Sequence, residues 1–110
     1  MALEQRLPDE DRREPRQPVL HRTRAVQANG ADLPVVVVNV SPRGFMARSE
    51  APHEAGDLLA IQMPVIGALE AEVRWSLGGR IGCRLLRPID PADYVLMLQI
   101  MMRGMTAASA

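Results

Sequence analysis

Lysine is absent from this 110-residue chain, and cysteine, tryptophan, tyrosine and phenylalanine occur once each. A lone Cys83 excludes an intrachain disulfide and a thiolate metal cluster. The two histidines, His21 and His53, are far apart in sequence and lack ligand spacing, so no metal site or cofactor is expected. Aromatics at 3% leave too few rings to stack successive bases, and the net charge is zero. No global field draws such a chain to a nucleic-acid backbone or an anionic membrane, so nucleic acid is not an expected partner. There is no run of about 20 apolar residues, as a spanning helix needs. Met1 to Arg6 carries no apolar core of a secretion signal. These two absences lead to an expectation of a cytoplasmic location without membrane insertion. No nucleophile with an adjacent base and no ligand set for a metal can be pointed to, so an enzyme is not expected.

What is present is a chain with 47% apolar residues, enough for one core built from Val, Leu, Ile, Met and Ala. Val19 to Val26 roughly alternates, with Val19, His21, Thr23 and Ala25 facing one way. Asn29-Gly30 is a turn pair, and Leu33 to Val40, with Val35-Val36-Val37-Val38 at its centre, returns as a second strand. Gly44 to Arg48 and Asp57 to Met63 read as two more strands. The loop between them, Pro52 to Gly56, holds His53 as an exposed imidazole without a special role. Leu69, Ala71, Val73, Trp75 and Leu77 alternate with polar residues, predicting a strand with all five on one buried face. Gly78-Gly79 then turns into Arg80 to Leu86, which carries Cys83 as a small buried hydrophobe.

Asp90 as N-cap and Pro91 at the first helical position start a helix predicted over 91–104, ending at Gly104, with 106–110 as a disordered tail. Val95, Leu98, Met102 and Met105 share one face, with Tyr94 and Met101 flanking it. Leu96, Met97 and Ile100 widen the apolar surface. A helix lying across a barrel end is the favoured reading, and a surface for homodimer formation is the alternative. Six short strands, hairpin turns and one helix make the fold class all-β, a six-stranded antiparallel barrel over 19–105 with a C-terminal helix.

Two polar clusters stand out. Residues 1–18 are charged and broken by Pro8, Pro15 and Pro18, and read as a flexible arm. The arm contains Arg12, Arg13 and Arg16, which could be no more than a solvated charge run. Asn39-Val40-Ser41-Pro42-Arg43-Gly44 ends the second strand and could be no more than an Asx or Ser turn. Because the first two strands are hairpin partners, the start of one lies beside the end of the other. The two clusters are therefore expected at one end of the barrel.

Arg12 and Arg16 form RxxxR, and Asn39, Ser41 and Gly44 form NxSxxG. In this order and spacing they resemble the two marks of the PilZ domain family, over about Arg12 to Pro88. The resemblance implies a split-barrel fold and, as bacterial second-messenger receptor, a site for cyclic di-GMP. By the same analogy, Arg12 and Arg16 clamp guanine and phosphate, and Asn39 and Ser41 hydrogen-bond guanine. Gly44 leaves room for the nucleotide, with Arg13 and Arg43 as secondary residues. The arm would order on binding and pass the signal to a downstream protein. The alternative is a PilZ-like adaptor that binds protein alone.

Overall fold

The computed structural model describes residues 15–109, excepting the side chains of 104–109. Strands β1 (Gln17–Gln27), β2 (Asp32–Ser41), β3 (Gly44–Arg48), β4 (Leu58–Met63), β5 (Gly67–Leu77) and β6 (Arg80–Leu85) precede helix α1 (Pro91–Ser109). The strands close into an antiparallel barrel in the order β1-β2-β3-β6-β5-β4. This is the all-β, six-stranded antiparallel barrel with a C-terminal helix that the turn spacing predicts. Each hairpin sits where the sequence places its turn residues, and Gly78 and Gly79 both take positive φ between β5 and β6.

The barrel interior is aliphatic. Val37, Val40, Phe45, Ile61, Val73 and Ile81 are essentially inaccessible, and Cys83 is buried among them. Burial pushes the Cys83 thiol up to about 12, so it stays neutral and acts as a small hydrophobe. The closing seam is short. The β1–β4 ladder covers only Ala25–Gln27 against Leu59–Ile61. Beyond it the Thr23 hydroxyl donates to the Gln62 carbonyl at 2.7 Å. Helix α1 packs against β1, burying Met97 and Met101 completely and Tyr94 and Leu98 in part.

The helix and the β3–β4 loop differ from expectation in three ways. The buried face of α1 is Tyr94, Met97, Leu98 and Met101, whereas Val95 and Met102 from the expected stripe are exposed. Apolar residues all round the helix left its phase undetermined. The barrel selects flexible Met side chains, which fill an irregular gap. The helix also runs past Gly104 to Ser109, through good helix formers Ala107 and Ala108 and into the expected tail. His53 is buried at 8% exposure, and its Nε2 lies 2.7 Å from the Ser49 hydroxyl. That short-range pair draws the imidazole out of water and braces the loop between β3 and β4.

Met97→Ala should cost about 2–5 kcal/mol of stability in chemical denaturation, the range for a buried Met. Val95→Ala should cost well under 1 kcal/mol. Equal losses would place the wrong face on the barrel.

His21 faces inward on β1, and burial lowers its pKa below the ordinary imidazole value. The unfolded chain takes up its proton first as pH falls through about 6.5, so the folded state loses stability below that pH and keeps it above. The melting temperature should therefore fall between pH 7.5 and 5.5 by more in the parent than in His21→Gln. Parallel curves would sink this attribution.

Candidate functional site

Antiparallel partners share a face of the sheet, so the register shows which side chains stand together. Pro18 on β1 pairs with Asn39 on β2, Asn39 with Met46 on β3, Met46 with Gly82 on β6, and Gly82 with Trp75 on β5. These five positions form one row across the outside of the barrel. The row depends on register shifts. Between Val37 and Asn39, β2 carries one residue more than β3, and between Val73 and Trp75, β5 carries one more than β6. An extra residue reverses the side-chain phase beyond it. Val37 and Val40 are both buried, and Asn39 is directed outward.

The same reversal corrects the reading of β5. Ala71 and Val73 are buried as predicted, but Trp75 is 41% and Leu77 78% exposed. Ser76 instead takes the position opposite inward-facing Ile81. Period-two counting missed Trp75 as a surface residue because no sequence pattern marks a bulge at Arg74. Trp75 lies over Gly82, where a Cβ would come within 2.2 Å of the indole nitrogen. Gly82 is the signal that was available, since a glycine within a strand often marks a close approach.

One residue from each sequence cluster meets at this row. Arg16, just ahead of β1, donates from Nη1 to Asn39 Oδ1 at 3.2 Å, a contact between residues 23 apart. Asn39 Nδ2 approaches Met46 Sδ at 3.8 Å. Both polar ends of the Asn39 amide are thus oriented along the outer surface. Arg12 and Arg13 lie outside the described residues. Arg84 stands beside the row on β6, between Gly44 and Glu72.

Ser41 is 2% exposed. Its hydroxyl accepts from the Arg43 amide at 3.3 Å and lies 3.5 Å from the Gly44 carbonyl. These bonds shape the β2–β3 turn and leave Arg43 exposed at its tip. Two backbone bonds hold the turn from outside, Leu85 N–H to Arg43 O and Ile89 N–H to Pro42 O, both 2.8 Å. Tyr94 of α1 donates its hydroxyl to Val40 O at 3.2 Å, so the helix supports the strand end below the turn. Gly44 is required by the barrel itself: a Cβ there would sit 2.5 Å from the Cys83 backbone carbonyl. The close packing of β3 on β6 thus accounts for glycine at this position.

A cavity of about 380 Å³ lies at the other end of the β1–β2 hairpin, lined by Gln27, Asn29, His53 and Asp57 among others. It contains none of the predicted site residues. Among the described residues no group of three or more His, Cys, Asp or Glu converges as metal ligands would, and no helix is long and apolar enough to cross a membrane. No family model and no curated protein matches the chain.

Gly44→Ala forces β3 from β6 and should cost roughly 1–3 kcal/mol, the range for overpacking, measured by urea denaturation. An unchanged midpoint would mean that the backbone yields without cost.

Proposed function

We propose that this chain is a receptor for cyclic di-GMP, in keeping with its resemblance to the PilZ family, and that it relays occupancy to a protein partner. The observation that carries the reading is the Arg16–Asn39 hydrogen bond, which joins the two motifs on the outer face of the barrel. A guanidinium fork matches the adjacent O6 and N7 acceptors of guanine, or two phosphate oxygens. Asn39 brings a donor and an acceptor to the same point. Trp75 offers a flat apolar surface in the same row, suited to a purine face. Arg12 would add a second cation from the segment before Arg16, with Arg13 and Arg43 at the margin. Ser41 acts by fixing the turn that Asn39 and Arg43 flank. In this proposal the nucleotide displaces the Arg16–Asn39 bond and reorganises residues 1–16, exposing a changed surface to the partner.

A second reading, an adaptor that binds protein without nucleotide, is favoured by the Ser41 hydroxyl already serving its own turn. Nucleotide titration separates the two. Calorimetry with the intact chain should give saturable binding at micromolar cyclic di-GMP, with a change in emission from Trp75, the sole tryptophan. Arg16→Ala should weaken binding at least tenfold, because charge-assisted hydrogen bonds contribute about 1.5–3 kcal/mol and a decade is about 1.4. Its melting temperature should hold, since Arg16 is exposed. Absence of binding in the parent would leave the adaptor reading.

A further inference from the structure

We propose a second interaction surface beside the first, a docking strip for a short acidic peptide segment formed by Arg22, Arg48 and Arg80 with Val36 and Leu77. Register again defines it. Arg22 on β1 pairs with Val36 on β2, Val36 with Arg48 on β3, Arg48 with Arg80 on β6, and Arg80 with Leu77 on β5. All five share the outer face. The three arginines are exposed, and Leu77, at 78%, is the most exposed large hydrophobe described.

Arg48 and Arg80 are direct cross-strand partners. Like charges so placed destabilise a sheet. Among the described residues the nearest relief would be a carboxylate, and none lies within ion-pair distance of Arg22, Arg48 or Arg80. Arg24 on β1, by contrast, is paired with Asp32 on β2 at 2.8 Å, so an arginine of this sheet is neutralised where a carboxylate stands across the hairpin. A row that breaks a local rule without compensation within the fold points to compensation by a ligand.

Spacing and chemistry identify the occupant. From Arg22 to Arg80 is three interstrand gaps, roughly 14 Å, and Leu77 lies one gap further. An extended peptide covers that distance in about four residues. Guanidinium forks bind carboxylates bidentately, while Val36 within the row and Leu77 at its end suit aliphatic side chains. A phosphodiester strand would make no use of those two, and the net charge of zero supplies no field to gather one. The occupant is therefore an acidic stretch of four or five residues ending in a hydrophobe.

The probe is a fluorescein-labelled peptide of four glutamates followed by leucine, titrated with the full chain in anisotropy at 50 mM salt. Saturable binding that weakens with salt is expected. The double variant Arg48→Ser/Arg80→Ser should lose at least tenfold, and Leu77→Ser a few-fold. The charge-matched Arg87→Ser/Arg103→Ser should lose less than twofold. The melting temperature of Arg48→Ser/Arg80→Ser should hold or rise, since repulsion is removed. A parent that fails to bind at millimolar peptide overturns the proposal, as does an equal loss in both double variants. A lower melting temperature in Arg48→Ser/Arg80→Ser would show the pair to be structural and overturn it too. Tighter binding of an oligothymidine through the same arginines would replace the peptide with nucleic acid. None of these variants touches Arg16, Asn39 or Ser41, so failure here is separable from failure of nucleotide binding.

Discussion

The phase of a β-strand is fixed by a count of residues, and in this barrel the added residues in β2 and β5, two of its three register shifts, decide which chemistry faces water. Without the extra residue in β2, Asn39 would follow Val35 and Val37 into the core. A buried amide there would lack partners in an aliphatic interior and would cost several kcal/mol. Without the extra residue in β5, Trp75 would be driven inward against the same small core. Both shifts occur opposite the same region of the β3 and β6 pair. The result is a polar and aromatic row on the outside and a mainly apolar lining within, interrupted on β1 by His21 and Thr23.

The row is held firmly because its supports come from several parts of the chain. Gly44 admits the Cys83 carbonyl, and Gly82 admits the Trp75 ring. The turn after Asn39 is tied by its own serine and by amides from Leu85 and Ile89. Tyr94 connects the helix to Val40. Helix α1 therefore does more than pack against β1: it braces the strand end from which Asn39 projects. Val40 and Tyr94 thus connect this strand end to α1, which still exposes Val95, Leu96 and Ile100.

The strands, turns and helix start were legible because each is written locally: β-branched runs, Asn-Gly and Gly-Gly pairs, Asp-Pro before an apolar segment. Convergence of Arg16 on Asn39 was legible from hairpin partnership alone. Side-chain phase was not, because a bulge is a mismatch between two strands and neither strand records it by itself. The face of α1 was illegible for a related reason. With apolar residues on every side, only the shape of the barrel opening selects Met97 and Met101. The burial of His53 depended on Ser49 four residues earlier, a pairing for which spacing gave a weak sign.

Outward phase also sets a limit on what the row can do. Side chains on the convex outside of a barrel cannot enclose a ligand as a cavity does, so any small molecule held there needs cover from another segment. Arg16 stands where such cover would begin, one residue before β1. Its guanidinium on the Asn39 amide ties the residue ahead of β1 to the end of β2. The ladders of β1, β2, β3, β6 and β5 fix the groups of this row relative to one another, so the row is preorganised. Under the proposed nucleotide reading, selectivity would rest on this row, where register fixes each group, and the response on the chain that precedes Arg16.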